Sequence, residues 1–260
     1  MSEQRIAIVT GSTSGIGLAI ARALAEAGHA VMMNGLGDPA AIEAERAAIE
    51  SATGQPVAFH GADMSDPAQI ADLVSATEAR FGQIDIVVNN AGIQTVAPIE
   101  EFPVDRYNLI MAINMSAAWH LCRATFGGMK RRGWGRVINV SSAHGLVASP
   151  YKSAYVMAKH AIVGLTKALA LEGAEHGVTV NAICPGYVLT PLVEKQIPET
   201  AAARGITGDA VIRDVLLAAQ PTKAFVQPEQ LGALAVFLCS DAASQMTGTA
   251  LPVDGGWTAH

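Results

Sequence analysis

Across these 260 residues lysine and arginine form no run longer than the three at Lys130-Arg131-Arg132 and no Lys/Arg-rich segment, and the formal net charge is −6. The electrostatic footprint that nucleic acid or an anionic membrane requires is missing, so neither partner is expected. The opening Met1-Ser2-Glu3-Gln4-Arg5 lacks a charged-then-apolar leader, and no apolar run is expected to approach the ~20 residues that span a bilayer. A cytoplasmic protein is the expectation. Cysteine is scarce: Cys122, Cys184 and Cys239 are odd in number, far apart and set among apolar residues. That argues against a disulfide framework and against a metal site, and points to buried thiols. Internal repeats, low-complexity tracts and linkers are absent too. A half-apolar chain of this length can bury one sizeable core, so residues 1–260 are expected to form a single domain.

What is present is an alternation. Short apolar, β-branched runs occur at 6–9, 30–33, 57–59, 84–88, 136–140, 178–183 and 250–253. Between them lie segments with apolar residues at three-to-four spacing: 18–27, 39–51, 68–81, 105–130, 155–175 and 228–240. This is the pattern of βαβ units. Several runs are apolar on successive residues, as strands are when helices cover both faces of a sheet. The expected fold class is α/β, a Rossmann-type, doubly wound, parallel seven-stranded sheet with helices on both faces. Residues 186–227 break the rhythm, with prolines at 191, 198 and 221 and charges between short apolar stretches. Helical pieces on loops are expected there, acting as a substrate lid because of their place after the sixth strand; a tolerated surface insertion is the alternative.

Thr10-Gly11-Ser12-Thr13-Ser14-Gly15-Ile16-Gly17 lies at the first strand-to-helix junction. Glycines there permit a tight turn and close approach of backbone to a pyrophosphate, at a helix N-terminus whose free N–H groups favour an anion. Gly11, Thr13, Ser14, Gly15, Ile16 and Gly17 are therefore candidate dinucleotide contacts, although turn glycines without a ligand would look the same. After the second strand, Asn34-Gly35-Leu36-Gly37-Asp38 offers no cation for a 2′-phosphate. NAD is the expected cofactor, with Leu36 beside the adenosine and Asp38 too far along to serve as the ribose acid.

Ser142 is followed, twelve residues on, by Tyr155-Val156-Met157-Ala158-Lys159. On a helix, positions 155 and 159 share a face, so the ammonium is expected to lie near the phenol and lower its pKa toward the working range of a general acid/base. Alone, such a pair also fits an ordinary surface helix.

Taken together, the glycine loop, Asn90-Ala91-Gly92, Ser142 and Tyr155/Lys159 resemble the short-chain dehydrogenase/reductase family over essentially the whole chain. The resemblance implies Asp63 and Met64 at the adenine and Asn90, Ala91 and Gly92 supporting the cofactor. It also implies Pro185, Gly186, Val188 and Thr190 near the nicotinamide, Tyr155 and Lys159 contacting the cofactor, and Asn114 joining Ser142, Tyr155 and Lys159 in the catalytic set. The expected reaction moves a hydride between nicotinamide and a secondary alcohol, with Tyr155 moving the proton. The strings around Gln94, His144, Lys152, Gln196 and Trp257 resemble the family's 3-hydroxy-acid dehydrogenases, which implies a small anionic 3-hydroxy acid as substrate and a homotetramer. Ser142, Tyr155 and Tyr187 complete that substrate set, with Lys152 and His144 as cationic or donor groups. Those enzymes usually carry Trp where this chain has Tyr187. Other members of the family, such as 3-oxoacyl thioester reductases or sugar dehydrogenases, and a dinucleotide sensor without turnover, are the alternatives.

Overall fold

The computed structural model describes residues 4–259; within the helix Pro191–Arg204, the side chains at 191, 192, 195, 196, 199, 203 and 204 lie outside the described set. Seven strands form one parallel sheet: β1 (Ile6–Val9), β2 (Ala30–Asn34), β3 (Val57–His60), β4 (Ile86–Asn89), β5 (Gly135–Val140), β6 (Val178–Pro185) and β7 (Ala250–Val253). Their order is β3-β2-β1-β4-β5-β6-β7. The chain starts mid-sheet, winds outward to β3, then crosses back to lay β4 against β1, with Val9 opposite Val88. That reversal opens a crevice above the carboxyl ends of β1 and β4, the place where doubly wound sheets bind ligands.

Alternation along each strand feeds two cores. Ala7 and Val9 face one layer with Ile20 and Leu24 of α1 (Gly15–Glu26). Ile8 faces the other layer with Ile70 and Leu73 of α3 (Pro67–Phe81). Both sides are dry, which is why the strands read as continuous apolar runs. Of the remaining helices, α2 (Pro39–Thr53) begins at an Asp38 cap, whose carboxylate accepts from the N–H groups of Ala40 and Ala41. It ends at Gly54 in the left-handed region, φ +67°.

The expected helix 105–130 is not continuous. It forms α4 (Val104–Met111), a π-helical turn at Ala112–Ser116, and α5 (Ala117–Arg132). Periodicity cannot reveal one residue's worth of extra turn, because apolar positions on either side keep their local spacing. Next comes α6 (Ser153–Gly173), which runs through a short 3₁₀ turn to His176. Ser153–His176 is long and apolar enough to cross a membrane, contrary to the expectation that no run would be. Its apolarity has a local cause: Ala154, Ala158, Ile162, Val163 and Ala170 are buried, and the buried Lys159 and Thr166 on the same helix make hydrogen bonds inside the fold.

Residues 186–227 leave the sheet as expected, forming α7 (Pro191–Arg204), the single turn α8 (Gly208–Ala210) and a second π-helical stretch at Val211–Leu216. A parallel bridge between Val188 and Val226 clasps the two ends of this excursion. The last long helix, α9 (Pro228–Cys239), packs beside α1 through Leu231, Ala235 and Leu238.

Candidate active site

A cleft of about 1100 Å³ runs across the carboxyl ends of the strands, from the glycine loop to α6 and the lid. Its floor is set by the β1–β4 junction. The Thr10 hydroxyl accepts from the backbone N–H groups of Asn90 (3.0 Å) and Ala91 (3.1 Å), while Asn90 Nδ2 donates to the Thr10 and Gly11 carbonyls at 2.9 Å each. Gly11 adopts φ +61°, and a Cβ there would stand 2.9 Å from Ala91 Cα. Gly11, Thr13, Ser14, Gly15 and Ile16 line this end, as do Asn90, Ala91 and Gly92. Gly17 is buried behind them; its Cβ would sit 2.2 Å from the Gly11 carbonyl oxygen, so it packs the loop on its helix instead of facing the cleft. Ser14 caps α1 without a side-chain bond and no acid occupies the first turn, so the helix's leading N–H groups suit a phosphate. These features fit a dinucleotide.

Beyond the glycine loop, Leu36, Asp63 and Met64, expected at the adenosine, line the cleft. Gly35 has φ +158°, and a Cβ there would meet Thr13 Cγ2 at 2.8 Å. Thr13 in turn donates to the Leu36 carbonyl at 3.2 Å. Asp38 is committed to capping α2, and Asp63 accepts from the Ser65 N–H and hydroxyl at 2.8 Å.

At the other end, Ser142, just beyond β5, accepts from the His144 N–H at 3.1 Å, and its side chain favours the charged form of the Tyr155 phenol. Lys159 Nζ lies 5.6 Å from the centre of the Tyr155 ring, and all three residues line the cleft. The expectation that Lys159 lowers the phenol's pKa is corrected here. Burial pushes Tyr155 above its ordinary value, with the Ser142 side chain opposing it, and Lys159 Nζ donates instead to the Val140 carbonyl at 2.8 Å. Burial also brings Lys159 down to about 8. Asn114 sits on the π-helical turn, its side chain exchanging two 2.8 Å hydrogen bonds with the Ile93 backbone. It is set back from the main cleft, on a separate cavity of about 10 Å³ shared with Thr10 and Lys159.

The substrate-side residues form an aromatic corner. Tyr187 and Trp257 stack at 5.8 Å and 3° between planes; Trp257 meets His144 edge-on at 5.0 Å, and His144 meets Tyr155 edge-on at 5.9 Å. Of the two roles expected for His144, cation or donor, the cationic one falls away: burial lowers its pKa to about 4, so near neutrality its imidazole is uncharged, with Nε2 at 2.9 Å from the Ser149 hydroxyl. Lys152 Nζ stands 5.7 Å from the centre of the Tyr187 ring. Gln94 lines the cleft as an exposed side chain. The Gln196 side chain lies outside the described residues. Gly186, Val188 and Thr190 line the cleft from the lid's root, whereas Pro185 stays in the sheet opposite Val253.

Sequence reasoning missed Arg106. It lines the same cleft from α4, its Nε donating to Thr95 Oγ1 at 3.1 Å. No motif marks it; only the packing of α4 beside the 94–96 loop brings it to the site.

A family model of the short-chain dehydrogenase type, described as enoyl-(acyl carrier protein) reductase, matches residues 11–258. The chain is 56% identical over 256 residues to D-beta-hydroxybutyrate dehydrogenase of Rhizobium meliloti (strain 1021), covering 98% of this chain and 99% of the relative. It is 54% identical over 260 residues to the Cupriavidus necator protein of the same name, covering 100% of both. Among solved structures, L-sorbose reductase from Gluconobacter frateurii, complexed with NADPH and L-sorbose, superimposes with a TM-score of 0.94 at 31% identity, covering 99% of this chain and 98% of that one. With its seven-stranded parallel sheet, glycine loop and Ser142-Tyr155-Lys159 set sharing one cleft, the chain belongs to the short-chain dehydrogenase/reductase family and is an oxidoreductase.

Proposed function

We propose that the protein oxidises D-3-hydroxybutyrate to acetoacetate with NAD, reversibly. The observation carrying the substrate class is Lys152. Its ammonium is partly buried in the cleft and, among the described residues, faces an aromatic ring with no carboxylate or hydrogen-bond partner. Burial accordingly pulls its pKa down. An unpaired cation costs free energy in such a place, and an incoming carboxylate offsets that cost. The two relatives named D-beta-hydroxybutyrate dehydrogenase, alike over the full length, support the same reading.

NAD, when bound, supplies the acceptor for the hydride leaving the alcohol carbon. The chain's own part is proton transfer and orientation. Tyr155, a neutral phenol at rest, gives its proton to the keto oxygen when acetoacetate is reduced, and the phenolate so formed takes it back when the alcohol is oxidised; Ser142, whose side chain favours that phenolate, fixes the substrate oxygen beside it. Lys159 and Asn114 hold the polar cavity behind it. Preference for NAD is supported by the expected adenosine end, where among the described residues no lysine or arginine lines the cleft and a Cβ at position 35 would meet Thr13 at 2.8 Å.

An absorbance assay of NADH formation, run with NAD and NADP against short 3-hydroxy acids of both configurations, tests the reading. Turnover of the D-acid with NAD, at kcat/KM at least ~100-fold above NADP, is expected. No turnover of any 3-hydroxy acid, or a preference for neutral alcohols, overturns it.

A further inference from the structure

The lid carries a fully buried polar side chain that the reaction does not use. Gln220 is 0% exposed and does not line the cleft. Its Oε1 accepts from the Tyr187 N–H, at the lid's root, and its Nε2 donates to the Ala224 carbonyl at 2.8 Å, at the lid's return. Two glycines make space for it. A Cβ at Gly186 would lie 2.3 Å from Gln220 Oε1, and one at Gly255 (φ +61°) would lie 3.3 Å from Nε2 and 2.3 Å from Thr222 Oγ1. Beside this point the Thr222 N–H donates to the Gly255 carbonyl at 3.2 Å, and the Val226 N–H to the Tyr187 carbonyl at 3.0 Å. Three segments therefore converge on one amide: the one that starts the lid and bears Tyr187, the one that ends it, and the turn after β7 that bears Trp257.

We infer that Gln220 is a positioning residue for substrate: it fixes the backbone under Tyr187 directly and, through the adjoining Thr222–Gly255 hydrogen bond, the turn that bears Trp257, and so the stacked pair that walls the cleft beside His144 and Lys152. A primary amide suits the task because one side chain must accept from one strand of chain and donate to another at the same level. Neither a hydroxyl nor a carboxylate spans both. The inference rests on reading that aromatic corner as the substrate face.

The test compares wild type with Gln220→Met, which keeps length and loses both bonds, and Gln220→Glu, which keeps both only when protonated. The readouts are steady-state kinetics on 3-hydroxybutyrate and 3-hydroxyvalerate, NADH affinity by fluorescence, and Tm. For Gln220→Met, KM for 3-hydroxybutyrate rises roughly tenfold, the ratio of kcat/KM between the two acids moves toward unity, kcat stays within about threefold, and NADH affinity stays within about twofold. For Gln220→Glu, KM is near wild type at low pH and climbs as the buried carboxyl ionises. A Gln220→Met variant with wild-type KM and wild-type discrimination overturns the inference, as does a uniform fall in kcat, KM performance and NADH affinity together. If Gln220→Met does not fold, the pH dependence of Gln220→Glu decides: KM parallel to wild type at every pH overturns it. Failure of wild type itself to turn over any 3-hydroxy acid rejects the substrate reading instead, and so is told apart.

Discussion

Lys159 stands one helical turn beyond Tyr155, yet its ammonium donates to the Val140 carbonyl at 2.8 Å while remaining 5.6 Å from the centre of the phenol ring. The i,i+4 spacing places the pair on one face of α6, and the edge of β5 decides where the donor goes. Lys159 is buried and Tyr155 half-buried in the cleft wall, and desolvation holds the phenol above its ordinary pKa and brings the ammonium down to about 8.

Replacing Lys159 therefore separates function from stability. Lys159→Met is expected to reduce turnover by at least ~100-fold. A lysine whose folded pKa is depressed binds fewer protons folded than unfolded, so wild-type stability rises with pH between about 8 and 10.5 and carries its full penalty below 8. That penalty is at most roughly 3 kcal/mol. Lys159→Met removes it, and urea midpoints at neutral pH are expected to equal or exceed wild type and to be flat across that window.

Tyr155→Phe removes the only oxygen proposed to carry the proton while leaving the ring that meets His144 edge-on. Turnover is expected to fall by at least ~1,000-fold, with the NADH dissociation constant from fluorescence titration unchanged within about twofold. Residual turnover above a few per cent would assign the proton to another group.

Lys152→Ala discriminates an anion site from a solvated lysine. KM for 3-hydroxybutyrate is expected to rise at least ~30-fold with kcat little changed, whereas KM for its neutral methyl ester moves by less than about threefold. Equal effects on acid and ester would remove the carboxylate assignment.

His144 titrates low, to about 4, because it is buried. Its unfolded form takes up a proton below about 6.5, so its contribution to stability is intact above 6.5 and is lost as pH falls toward 4. KM for the substrate is expected to stay flat between about pH 5.5 and 7, since no charge appears on the imidazole there. A His144→Asn variant should show a shallower loss of Tm on acidification than wild type.

Asp38 caps α2 with both carboxylate oxygens. Asp38→Ala is expected to cost about 1 kcal/mol in urea unfolding with KM for NAD unchanged within about twofold. A selective rise in that KM would reveal a direct ribose contact.

Seven strand positions, five of six helix bodies and the glycine loop were legible because each is written in local spacing: period two or continuous apolar runs for strands, three-to-four spacing for helices, glycine where φ turns positive. The π-helical turn under Asn114 was not, because its extra residue leaves the flanking periodicity intact. Arg106 and Gln220 were invisible for a different reason. Each is an ordinary polar residue whose partner, Thr95 or the Tyr187 backbone, is 11 or 33 positions away.

By itself, then, the order of residues determined the βαβ alternation, the phosphate-binding loop and which residues share the face of α6, since all of these follow from neighbours a few positions apart. Tertiary structure alone decided the burial that shifts Tyr155, Lys159 and His144, left Lys152 without a carboxylate or hydrogen-bond partner among the described residues, and brought Tyr187 onto Trp257. Those properties depend on burial and on contacts made across the sheet, where charge is costly unless a distant part of the chain arrives to meet it.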